Sequence, residues 1–125
     1  LVAEYKDTDT SVHIHRIGYM AELLSKLLNH PPEFCFLMRL AAPMHDVGKL
    51  GIPDSVLQKP GQYTAEERQV MNQHPITGAQ ILGRSRIPLF QLAAEVALGP
   101  PAPADATPRL SPASLAWGAL VIGVA

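Results

Sequence analysis

Up to Leu98, apolar positions recur at three- and four-residue steps, and no stretch of β-branched residues alternates at the two-residue step of a strand. The series Ile14, Ile17, Gly18, Met20, Ala21, Leu24, Leu27 and Leu28 predicts an amphipathic helix from Asp9 or Ser11 to Asn29. Asp9, Thr10 and Ser11 are each suited to cap it, and Asn29-His30-Pro31-Pro32 stops it. Phe34, Leu37, Met38, Leu40 and Ala41 form the apolar face of a second helix, in which Pro43 predicts a kink or a fresh start. Gly48 and Gly51-Ile52-Pro53 predict a loop with one short turn to Leu57. Lys59-Pro60-Gly61 reads as a turn, and Thr64-Ala65-Glu66-Glu67 as a helix start with a capping box. That helix is expected to reach His74, with Pro75 ending it and opening another to Leu82. A last helix is expected from Pro88, where proline suits the first turn, to Leu98. The fold class is all-α.

Beyond Leu98 the material changes. Residues 99–125 hold five of the 12 prolines and two charged side chains, Asp105 and Arg109. The prolines bar a helix between Gly99 and Pro108, so a disordered or extended tail is expected, outside a domain formed by residues 1–98. The stretch Ala113 to Ala125 is apolar but only 13 residues long, so no membrane span is expected. With 10 Lys+Arg against 11 Asp+Glu, the 125-residue chain has no basic footprint for a nucleic acid polymer. The single Cys35 can form no internal disulfide and reads as a small core residue. The start Leu1-Val2-Ala3-Glu4 has neither an initiator Met nor an apolar signal core, which leads us to expect a fragment of a cytoplasmic protein.

Candidate chemistry lies with the histidines at 13, 15, 30, 45 and 74. His45-Asp46 follows an apolar segment and precedes Val47-Gly48-Lys49. Burying an imidazole, a carboxylate and an ammonium so close together is costly unless they neutralise one another or hold a cation. Imidazole and carboxylate suit Fe, Mn, Zn or Co, and one carboxylate can bridge two ions while each His serves one. Gly48 would let the backbone approach such a site, and Lys49 could reach a phosphate on it. The plain alternative is a solvated Asp46–Lys49 pair at i,i+3 on a helix end. Asp9 and His13, at i,i+4, share a helix face and could serve one centre; equally, Asp9 could cap the helix and His13 lie on the surface. His74 can project from the break at Pro75. His15 and His30 are expected at the surface.

Several blocks of this sequence resemble the HD-GYP family, the branch of the HD phosphohydrolase superfamily that hydrolyses cyclic di-GMP. They are Lys6-Asp7-Thr8-Asp9-Thr10, His13-Ile14-His15-Arg16-Ile17-Gly18, Leu40 to Asp54 with His45-Asp46-Val47-Gly48-Lys49-Leu50-Gly51-Ile52-Pro53, Lys59-Pro60-Gly61, Met71 to Ala79 and Leu92 to Ala97. The match is collinear over residues 4–98. The resemblance implies an HD-domain helical bundle around two or three divalent metal ions, iron or manganese foremost. It implies His13, His45, Asp46 and His74 as metal ligands, with Asp46 bridging, and Asp9 where trinuclear members carry a glutamate ligand. Asp46 and Lys49 would be the catalytic residues, Lys49 binding the scissile phosphate or assisting the leaving group. The substrate implied is a cyclic dinucleotide, and the partner an upstream receiver or sensor domain.

The resemblance stops at Leu98. The family continues with a His-His-Glu block, a Gly-Tyr-Pro signature and a further Asp ligand, whereas residues 99–125 contain no His and no Tyr. The domain therefore reads as truncated, with Leu92, Val96 and Leu98 expected to lose their cover. So abrupt an end leads us to expect a frameshift or an assembly error near the codon for Leu98. Two functions stay open: a phosphodiesterase domain that is incomplete in this chain, or a degenerate HD-type binding or regulatory module without catalysis.

Overall fold

A computed structural model describes residues 11–99, and among them there are helices and 3-10 turns but no strand. Asp9 and the stretch 100–125 lie outside the described residues, and with them the expected cap and tail. Helix α1 spans Ser11–Leu27 and α2 spans Pro32–Ala41, followed by 3-10 turns at Ala42–Met44 and Val47–Gly51. Then come α3 (Asp54–Leu57), α4 (Ala65–Met71), α5 (His74–Leu82) and α6 (Pro88–Leu98). None of the described helices is long and apolar enough to cross a membrane.

Helix ends follow from local chemistry. The chain leaves α1 through Asn29 at φ 59°, with the Asn29 N–H donating to Lys26 O at 3.0 Å and the His30 N–H to Ser25 O at 3.1 Å. This pair of bonds satisfies the last carbonyls, and asparagine tolerates the left-handed backbone it needs. The helix thus closes two residues before the predicted Asn29. Pro43 gives the expected fresh start: α2 ends at Ala41 and a 3-10 turn, Ala42–Met44, begins with the proline in its first positions. Thr64 and Glu67 form the capping box of α4, Thr64 Oγ1 accepting from Glu67 N at 3.2 Å and Glu67 Oε2 accepting from Thr64 N at 2.8 Å. The largest correction concerns His74, which opens α5 instead of closing α4. Pro75 sits within the first turn of α5, where its missing N–H has no intrahelical acceptor to lose.

The core is built from Ile17 and Ala21 of α1, Met38 and Ala41 of α2, Ala42, Leu82 of α5, and Ala93, Val96 and Ala97 of α6. Alanine dominates this set and draws the helices together, α1 against α2, α2 against α6 and α6 against α5. Glycine carries the closest approaches. A Cβ at Gly18 would stand 2.6 Å from Arg39 O, so α1 crosses α2 where it has no side chain. Val96, expected to be uncovered, is 1% exposed inside this cluster, while Leu98 at the end of α6 is 55% exposed. Cys35 is buried as expected, and His30 is half-buried against the Phe34 ring instead of lying at the surface.

The second approach by glycine sets up the site. The turn Val47–Gly51 rests on the first two turns of α5. A Cβ at Gly48 would collide with the carbonyl oxygen of His74 and lie 2.5 Å from Gly78 N. Both neighbours are backbone, so neither can step aside. Gly48→Ala is therefore expected to lower stability by about 2 kcal/mol, and Tm by about 10 °C, in thermal unfolding followed by circular dichroism. Removing the capping hydroxyl with Thr64→Ala should cost about 1 kcal/mol in the same measurement.

Candidate functional site

His45 and Asp46 fill the two positions between the 3-10 turns, and Lys49 lies inside the second turn. The glycine contact brings this segment against the start of α5, where His74 is the first residue. The four side chains meet on one carboxylate. Asp46 Oδ2 lies 3.2 Å from His45 Nε2 and 2.9 Å from Lys49 Nζ, while Asp46 Oδ1 lies 3.3 Å from His74 Nε2. Each of the four is about one-fifth exposed, between 19% and 23%, and the i,i+3 pair of Asp46 with Lys49 named in the plain alternative is present within the cluster.

The outer nitrogens of both rings are already committed. His45 Nδ1 stands 2.8 Å from Ala42 O, and His74 Nδ1 stands 2.8 Å from Met71 O. A carbonyl oxygen only accepts, so each Nδ1 carries the proton and donates it. In a neutral ring the lone pair is then on Nε2, aimed at a carboxylate oxygen that also offers lone pairs. Such a meeting needs positive charge between or upon the partners. Burial pushes the Asp46 carboxyl up, but the hydrogen bonds from His45 and His74, the charge of His45 and the bond from Lys49 outweigh it. They hold Asp46 well below the usual carboxylate range. The bond to Asp46 raises His74 above the ordinary histidine value, against a smaller opposing push from burial.

The same donors suit a metal ion. With bonds of about 2.1 Å, two ligands of one ion stand about 3.0 Å apart at a right angle and about 3.4 Å apart at the tetrahedral angle. The Nε2–Oδ separations of 3.2 and 3.3 Å fall inside that interval. A ring nitrogen donating from Nδ1 to a backbone carbonyl is also the arrangement that fixes Nε2 as a ligand. The donors form two pairs, His45 with Oδ2 and His74 with Oδ1, and do not close one shell. Among the described residues no group of three or more His, Cys, Asp or Glu side chains is arranged to hold an ion.

Of the residues singled out from sequence, the structure joins His45, Asp46, Lys49 and His74. His13 is half-buried on α1, and none of the described contacts to Asp46 comes from it. Asp9 lies outside the described residues. His15 is exposed on α1, in keeping with the surface position expected of it. Sequence reasoning missed the two orienting carbonyls of Ala42 and Met71, each three residues before its histidine. It also missed Gly78, whose own Cβ would stand 3.2 Å from Gly48 N. The spacing of a histidine one turn past a helical carbonyl is the signal that could have found the former.

A family profile described as "HD domain" matches residues 3–100. The chain is 42% identical over 98 residues to a cyclic di-GMP phosphodiesterase of Thermotoga maritima, covering 78% of this chain and 27% of that protein. It is 41% identical over 95 residues to the cyclic di-GMP phosphodiesterase response regulator RpfG of Xanthomonas campestris, covering 76% of this chain and 25% of the other. A 3'3'-cGAMP-specific phosphodiesterase of Vibrio cholerae is 38% identical over 94 residues, covering 75% of this chain and 18% of its own length. The chain thus spans about a quarter or less of these curated relatives. HD-type domains in general hold divalent metals, the chemistry for which the Asp46 donor pairs are suited. Over most of its length the chain belongs to the HD-domain family, on the side related to the cyclic di-GMP phosphodiesterases.

Proposed function

We propose that this chain is the metal-holding first part of a phosphodiesterase domain whose substrate is a cyclic dinucleotide such as cyclic di-GMP. The observation that carries the reading is the placement of His45 Nε2 and His74 Nε2 against different oxygens of Asp46. His45, Asp46 and His74 would hold divalent ions, iron or manganese, with Asp46 shared between them and with His13 and Asp9 as further ligands. Bound ions supply a more acidic water and offset charge developing on a phosphodiester. The chain's own residues do the rest. Ala42 O and Met71 O keep both rings turned with Nε2 inward. Asp46 stays ionised, and Lys49 supplies a cation beside it for the phosphate oxygens. An upstream receiver or sensor domain and a cytoplasmic setting complete the reading.

The donors about Asp46, which among the described residues do not close one metal shell, favour a second reading, an HD-type binding or regulatory module without turnover. Equilibrium dialysis against Mn2+ and turnover of bis(p-nitrophenyl) phosphate separate the two. We expect Mn2+ binding that Asp46→Asn weakens by at least about 100-fold, because it removes the shared ligand where loss of an orienting partner alone costs about 10–100-fold. Mn2+ binding with turnover that is lost in Asp46→Asn supports the phosphodiesterase; no turnover, with or without Mn2+ binding, contradicts it and leaves the module.

The charge state of His74 sets a pH dependence. Its raised pKa means the metal-free ring keeps its proton above the ordinary value near 6.5, so an ion must displace that proton. Mn2+ affinity is expected to fall with falling pH across this range, by up to about tenfold per unit for one displaced proton. Without metal the sign is opposite. The His74–Asp46 pair stabilises the fold below the ordinary histidine value and loses that contribution as pH rises through the raised one. Titrations of Mn2+ binding between pH 5.5 and 8.5 check this, and a flat profile would contradict it.

A further inference from the structure

We propose that Lys49 stands in for a cation in the metal-free chain, and that its ammonium must leave Asp46 Oδ2 before an ion can settle between that oxygen and His45 Nε2. The inference rests on the metal reading above and deepens it. Lys49 Nζ lies 2.9 Å from Oδ2, the same oxygen that His45 Nε2 approaches to 3.2 Å. Among the described contacts, Oδ1 meets His74 instead, at 3.3 Å. The two donor pairs are therefore unequal: the His45 pair shares its carboxylate oxygen with a lysine, and among the described contacts the His74 pair does not.

Lysine is suited to a removable role. Its ammonium is a compact charge on a flexible four-carbon stem, and it satisfies a carboxylate without the fixed fork of arginine. With all four groups only about one-fifth exposed, an ionised Asp46 needs such a counter-charge when no metal is present. A divalent ion beside Oδ2 would both outbid the ammonium for the lone pairs and repel it. The displaced amine then becomes available to a phosphate oxygen, so loading the site and arming the lysine are one event. Linkage makes the coupling reciprocal: a phosphate that engages the displaced lysine should tighten the metal.

The test uses the full 125-residue chain and Mn2+, with the free ion followed by electron paramagnetic resonance. Lys49→Met should bind Mn2+ about tenfold more tightly than the unaltered chain, while Lys49→Arg should not gain affinity. A lysine that merely supports the fold would give the opposite sign, weaker binding in Lys49→Met, and circular dichroism of the variant reports folding separately. Amine acetylation read by peptide mass spectrometry gives a second measure. Mn2+ should raise labelling of Lys49 several-fold while leaving Lys59, paired with Glu67, unchanged. Unchanged or weaker Mn2+ binding by Lys49→Met, or labelling of Lys49 that ignores Mn2+, overturns the proposal while leaving the metal reading intact. Failure of the unaltered chain and of Lys49→Met alike to bind Mn2+ overturns both.

Discussion

The contact between Gly48 and the start of α5 is the constraint on which the rest depends. Two backbone segments meet there with no side chain between them, and the His74 carbonyl and the Gly78 amide occupy the space a Cβ would need. Because the turn Val47–Gly51 is pressed so closely on α5, residues 46 and 74 come within hydrogen-bond range although 28 positions separate them in the chain. Alanine elsewhere in the core acts in the same way. Ala93 and Ala97 on α6 and Ala41 and Ala42 at the end of α2 let the helices that carry the site pack closely. The apolar core and the polar cluster are therefore coupled through small residues. Packing density, more than any single ion pair, fixes the geometry of the donors.

The polar cluster in turn has its own logic. One carboxylate receives an ammonium and two imidazole nitrogens in a region largely shielded from water. Such a group is stable only with its positive partners, and each histidine is held by a carbonyl so that it can face no other way. The protein thus maintains a site of fixed donors whose counter-charge is exchangeable. On the metal reading proposed above, protons, the lysine and a divalent ion would compete for the same oxygens.

Much of the local structure was legible because its causes are local. The capping box at Thr64 and Glu67 and the proline-led start of α6 depend on residues within one turn, and both stand as read. The end of α1 was misplaced because Asn29 adopts a left-handed backbone, which periodicity does not register. His74 fell on the wrong side of its break because proline both ends one helix and opens the next. Tertiary effects were harder. Val96 is covered by packing with Met38 and Leu82, residues far from it in sequence, and His30 is sheltered by Phe34. In the site, the Asp46–Lys49 pair follows from i,i+3 spacing, whereas no local rule links His74 to Asp46. That link came from the family resemblance. Gly78 stayed unnoticed because its role is to leave space beside another element.

Nitrogen-detected NMR of the imidazole rings during a Zn2+ titration tests the central claim most directly, since it reads the two Nε2 atoms themselves. The account predicts that His45 and His74 keep the proton on Nδ1 while their Nε2 resonances move on adding metal, with His15 and His30 unaffected. Nε2 resonances of His45 and His74 that stay in place while metal is added, or rings protonated on Nε2 with Nδ1 bare, would contradict it.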